Sequence, residues 1–180
     1  MNPAYQQMAL NNAARFDVQA SWILALIETE SGGVNVGVHT RDCYINKTGT
    51  YNQDDCAYGL MGIRLSTAKQ IEPTITASEL MDPAKNIEIG TIYLKRLKDQ
   101  YGSIEDVFAV YKGGRPWWQA SSQARANAML AMKQEKEWQI KLASTGKYTA
   151  SEASVIDTKL IGEWGIPVLI AAAAAWLIFK

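Results

Sequence analysis

The ten residues from Ser21 to Glu30, SWILALIETE, constrain this chain more than any other segment. At about 100° per residue, Ile23, Leu26 and Ile27 share one stripe of a helix. Glu30 follows them by seven, four and three positions, so it prolongs the stripe. Glu28 falls on the opposite side, toward solvent. A carboxyl at the end of an apolar stripe is desolvated, which favours its neutral form. A neutral carboxyl is what a general acid needs. The competing reading is a structural glutamate that satisfies loop amides, because structural pairing perturbs carboxylates too.

Helix punctuation recurs along the chain. Asp17 is placed to cap a helix from Val18 to Glu30, and Ser31-Gly32-Gly33 ends it. Residues 33–57 are polar, glycine-rich and aperiodic, and read as a long loop or small hairpin. Ser66 caps a short helix over 68–71 that Pro73 stops. Asp82-Pro83 pairs a capping side chain with proline at the first helical position. The helix after it carries Ile87, Gly90, Leu94, Leu97 and Tyr101 at three- and four-residue steps, and Gly102 ends it. Ser103 opens another with Ile104, Val107, Phe108 and Tyr111 on one face, and Gly113-Gly114 breaks it. A longer helix covers 119–142, and residues 144–154 read as a linker. There is no internal repeat and almost no strand alternation, so the expected fold is mainly α.

Composition narrows the function. The 180 residues suffice for one compact domain plus an appendage. Net charge is zero with no basic face, so nucleic acid is not an expected partner. A single histidine, His39, excludes most zinc-hydrolase patterns, which need two or more. No pattern calls for a cofactor. The first sixteen residues lack a basic stretch followed by an apolar run, so no signal peptide is expected.

Three segments, in order, resemble the soluble lytic transglycosylase group of the lysozyme-like fold. They are Ala25-Leu26-Ile27-Glu28-Thr29-Glu30-Ser31-Gly32, Ala57-Tyr58-Gly59-Leu60-Met61-Gly62-Ile63 and Ala109-Val110-Tyr111-Lys112-Gly113-Gly114. Between the last two, Asp82-Pro83-Ala84-Lys85-Asn86-Ile87, Gly90 and Tyr93-Leu94 match the group's helix start and spacing. The likeness covers about residues 8–130. It implies that Glu30 is the catalytic acid and then base on the bond between N-acetylmuramic acid and N-acetylglucosamine in peptidoglycan. The muramic N-acetyl group assists, the muramic 6-hydroxyl attacks, and a 1,6-anhydro end results. Ser31, Gly59, Leu60, Met61, Tyr93, Tyr111 and Lys112 are the expected substrate-binding residues. Gly59 lets backbone approach the sugar. Leu60, Met61 and Ile63 give an apolar wall or plain core, and Tyr111 either bonds Glu30 or another partner. Gly62 stands where the group prefers glutamine and Lys112 where it prefers asparagine. Lys112 is then expected to meet a peptide-stem carboxylate or to lie solvated outside. A lysozyme-type hydrolase would need a second carboxylate, for which Asp54 and Asp55 are the candidates. A non-catalytic structural protein on the same fold is the third reading.

Cys43 and Cys56, 13 residues apart, admit a disulfide stapling the loop, free thiols, or a metal site with His39, Asp42 and Asp55. The spacing matches no zinc pattern, and no metal is expected. The end of the chain differs in kind. From Trp164 to Phe179, 16 residues carry no charge and include five consecutive alanines. Trp164 and Trp176 lie near the ends of this run, as interfacial anchors do. Its length lies between a buried helix and a bilayer span of about 20 residues. The expected organisation is a transglycosylase domain over 1–143, a linker over 144–154 and a C-terminal apolar helix over 155–180. That helix either enters a membrane or packs in an assembly. A wall-cutting domain with such a tail and no signal peptide fits a bacteriophage virion protein. It would act in the host periplasm and inner membrane, beside other virion or ejection proteins. A bacterial envelope enzyme is the alternative.

Overall fold

The computed structural model describes residues 1–39, 43, 52, 54 and 56–146. Seven α-helices and a three-stranded sheet make up these residues. In chain order they are α1 (Pro3–Phe16), α2 (Ala20–Ser31), β1 (Val38–His39), β2 (Ala57–Tyr58), β3 (Ile63–Arg64), α3 (Leu65–Lys69), α4 (Ala77–Leu80), α5 (Pro83–Tyr101), α6 (Ile104–Gly113) and α7 (Ser122–Ser144). A 3-10 turn, Trp117–Gln119, joins the last two helices. Residues 147–180, with the expected apolar helix and most of the linker, lie outside the described residues. Among the described residues no helix is long and apolar enough to cross a membrane.

Helix α2 is the centre of the domain. It packs on α1, α5 and α7, while α6 closes against α5 and α7. Every residue from Ala20 to Ile27 is buried, Leu24 as fully as Ile23, Leu26 and Ile27. The single-stripe expectation therefore fails over the first two turns, because a helix enclosed by neighbours has no solvent face. Each fully buried Leu or Ile contributes roughly 1.5–3 kcal/mol relative to an exposed one, so α2 anchors the core. Only its last turn emerges, and there Glu28 and Glu30 are both half-buried. Exposure alone does not tell the two glutamates apart.

Capping explains most boundaries. Asp82 accepts from the Lys85 amide at 2.9 Å with Pro83 in the first turn. Ser103 caps α6 through the Asp106 amide, and Ser121 caps α7 through the Ala124 amide. Asp17 departs from expectation. It closes α1 in the left-handed region, at φ 52°, rather than opening α2. Gln19 occupies the start of α2 without a side-chain cap. Arg64 likewise holds the position before α3 where Ser66 was expected.

The sheet is antiparallel in the order β1-β2-β3, with Val38 opposite Tyr58 and Ala57 opposite Arg64. Gly59-Leu60-Met61-Gly62 turns β2 into β3, with positive φ at both glycines. Asn86 of α5, fully buried, staples this turn. Its amide nitrogen donates to the carbonyls of Tyr58 and Leu80, and its oxygen accepts from the Met61 amide at 2.8 Å. A Cβ on Gly59 would lie 2.4 Å from that Asn86 nitrogen, so the turn closes only on glycine. Cys43 and Cys56 form a disulfide, the first of the three states the sequence allowed. Among the described residues no group of three or more His, Cys, Asp or Glu is placed to hold a metal ion; Asp42 and Asp55 lie outside them.

Candidate active site

The emerging turn of α2 brings Thr29 and Glu30 to the wall of a cavity of about 510 Å³. The facing walls come from Gly62 and Arg64 at the sheet, Tyr111 and Lys112 in the last turn of α6, and a ridge on α7. A second cavity, about 420 Å³, shares Gly62, Arg64, Tyr111 and Lys112 and continues past Tyr93 and Gly113. The two spaces thus meet at the four shared residues.

Glu30 is held on one side and given room on the other. Its Oε1 accepts from the Lys112 ammonium at 2.6 Å, and that ammonium also donates to the Thr29 hydroxyl at 2.8 Å. The Lys112 side chain is 8% exposed and that of Glu30 20%, so the pair is largely withdrawn from water. On the other side, Gly62 sits against the carboxylate at φ 58°, and a Cβ there would lie 2.9 Å from Oε2. Glu30 is therefore half of an ion pair, not a carboxyl with only apolar surroundings as the stripe implied. Lys112 does not lie solvated outside, because its ammonium is engaged on α2.

Tyr111 supports the site from beneath. Its hydroxyl donates to the Met61 carbonyl at 2.7 Å, the second of the two partners the sequence left open. Its ring meets Tyr93 at 5.5 Å between centroids. Burial raises the Tyr111 phenol well above its ordinary range, and the Glu30 and Tyr93 charges add to that rise. Burial raises Tyr93 as well, with Tyr101 adding.

The sequence from residue 7 to 132 matches the family model of the transglycosylase SLT domain. The chain belongs to that family. Among solved structures, the SLT chain is similar to an inactive mutant of the lytic transglycosylase Slt from Pseudomonas aeruginosa, in which glutamine replaces a glutamate. The identity is 20% and the TM-score 0.57, over 76% of this chain and 24% of that one. At that identity the likeness concerns the fold. The SLT chain spans about a quarter of the length of the protein it resembles. No curated protein matches it.

The expected site residues divide within this SLT fold. Glu30, Tyr111 and Lys112 converge on the larger cavity, and Tyr93 lines the smaller. Leu60 and Met61 are wholly buried, so neither side chain faces the cleft. Met61 packs where Gly90 leaves room, since a Cβ on Gly90 would meet its sulfur at 2.4 Å. Gly59 is buried over Asn86, and the Ser31 hydroxyl donates back to the Ile27 carbonyl within its own helix. Asp54 pairs with Lys69 at 2.6 Å and lines neither cavity; Asp55 lies outside the described residues.

Arg64 and a ridge of α7 are cleft residues that the sequence analysis does not find. Arg64 follows buried Ile63 in β3 and so points the other way, as strand alternation requires. Lys133 and Glu137 stand four apart on α7, in a ridge with Asn127, Leu130 and Gln134. The spacing was visible, but nothing local says which face of a long helix turns toward α2. Asn86 lies in the segment that resembles the family's helix start, and nothing local announces that its amide holds the glycine turn in place.

Proposed function

We propose that this SLT domain is a peptidoglycan lytic transglycosylase with Glu30 as its catalytic acid and base. The observation that carries the reading is the position of Glu30. It lies on the wall of the larger cavity, on the last turn of the central helix, with Gly62 leaving its Oε2 side uncrowded. A glycan bond laid along this wall would receive a proton on its oxygen as the C–O bond breaks. The muramic N-acetyl group supports the anomeric carbon. Glu30, now a carboxylate, takes the proton of the muramic 6-hydroxyl, whose oxygen closes on that carbon. One proton is given and one recovered, so no water is consumed and the end is a 1,6-anhydro sugar. The family to which the chain belongs supports this reading, as does the single glutamate replaced in the inactive mutant of its structural relative.

The hydrolase reading changes its second carboxylate. Asp54 is engaged by Lys69, whereas Glu137 lines the cavity with Glu30. Digestion of purified peptidoglycan, with mass analysis of the ends, separates the readings. Anhydro ends are expected; reducing ends would bring in hydrolysis and Glu137. Release should vanish in Glu30→Gln and persist in Glu28→Gln. Folded wild-type protein that releases nothing would instead be a structural member of the family.

We further propose that the enzyme travels in a bacteriophage particle and reaches the host membrane through residues 155–180. The support is the uncharged run from Trp164 to Phe179 alone. Liposome binding should be strong for the full chain and weak for a 1–154 truncation; equal binding would end this part of the proposal.

A further inference from the structure

The most exceptional group in the cleft is Lys112. Its long side chain crosses from the last turn of α6 to the last turn of α2, ends 8% exposed, and spends two of its three N–H bonds on Thr29 and Glu30. A lysine buried to this degree without function is uncommon, since burial of an ammonium is costly unless it is paired. Here the partner is the proposed acid itself.

We propose that Lys112 is a positioning residue that clamps the Glu30 carboxylate in the free enzyme and presents it to the cleft in one orientation. The inference rests on the reading of Glu30 as the acid. For the first step Glu30 must carry a proton, which passes to the glycosidic oxygen and later returns from the 6-hydroxyl. The clamp fixes the side chain, because one ammonium holds Oε1 of Glu30 and the Thr29 hydroxyl of the same helix turn. Glu30 therefore needs little reordering when substrate arrives.

Other charges face the same space. Arg64 on β3 and Lys133 and Glu137 on α7 line the cavity, and Tyr111 lies beneath it. The first three are exposed, where water and salt screen them. Tyr111 is uncharged at neutral pH, its phenol being raised by burial. Among the described residues, the close and shielded cation on Glu30 is Lys112.

The test separates kcat from KM for peptidoglycan release and follows the mobility of the Glu30 side chain by carbon-13 relaxation, on the full chain. Lys112→Met keeps most of the aliphatic stem and removes the charge. It should lower kcat about tenfold with KM changed less than about twofold, because an unclamped Glu30 leaves glycan binding intact and samples other orientations. The Glu30 side chain should become more mobile in the same variant. Lys112→Arg should restore both readings to near the wild-type values. Unchanged mobility in Lys112→Met overturns the proposal, as does an equal rise in Lys112→Arg. If Lys112→Met does not fold, Lys112→Asn is read in the same way. Release that survives Glu30→Gln would defeat the transglycosylase reading, whatever the mobility shows.

Discussion

Tyr111 keeps its proton in a place that punishes losing it. The ring is packed against Tyr93, the hydroxyl donates to the Met61 carbonyl, and the Glu30 carboxylate stands nearby. Burial is the largest cause of its raised pKa, followed by the charges of Glu30 and Tyr93. The folded protein thus binds this proton more tightly than the unfolded chain does, whose phenol titrates near 10.0. Below that pH the full stability is present, and it is lost as pH rises toward the folded-state value. Tyr111→Phe should flatten this alkaline decline in Tm. At neutral pH it should cost about 1–2 kcal/mol, because the Met61 carbonyl loses its donor. An alkaline decline as steep in the variant as in wild type would assign it to other groups. The same residue shows how a sequence reading stops short. A tyrosine beside the cleft was expected to find a partner, and it found one. Which oxygen it found depended on a turn fifty positions away.

Elements whose ends are written in one or two adjacent residues were legible. Asp82-Pro83 and Gly102 bound α5 as read, and Ser103 and Gly114 bound α6. Asp82→Ala should therefore lower stability by about 1 kcal/mol, read in a urea titration with unchanged slope; no change would mean that packing alone sets the start of α5. Where the same chemistry serves two purposes, the reading failed. Asp17 has a capping side chain, but its backbone closes the preceding helix in the left-handed region, and α2 starts uncapped. Packing explains the difference, since the first turn of α2 is already buried. Helix α1, which the sequence analysis does not predict, carries the signature seen at α5, Asn2-Pro3 with Asn2 accepting from the Ala4 amide. The two-residue strands are shorter than any alternation that could announce them.

At the scale of the molecule, the cleft joins residues from four distant stretches: Glu30, Gly62, Lys112 and Glu137. The order of the family segments placed the first three in motifs of one resemblance without saying how they touch. It said nothing of the α7 ridge, because that helix lies beyond the quoted motifs and its orientation is a tertiary fact. Nor could it say that Lys112, read as a departure from the family's asparagine, would turn back onto the acid. The Cys43–Cys56 bond crosses this same division of the chain. Glu30 lies on one side of the bonded segment, and Gly62, Lys112 and α7 lie on the other. A protease that cuts once between residues 44 and 55 therefore yields two polypeptides tied by a single sulfur–sulfur linkage. In an oxidising setting the clipped enzyme is still one covalent object. Where thiols are kept reduced, the same clip leaves the acid and its clamp on separate chains, held together without a covalent bond by the packing of α1 and α2, the β1–β2 pairing and ion pairs such as Lys112–Glu30.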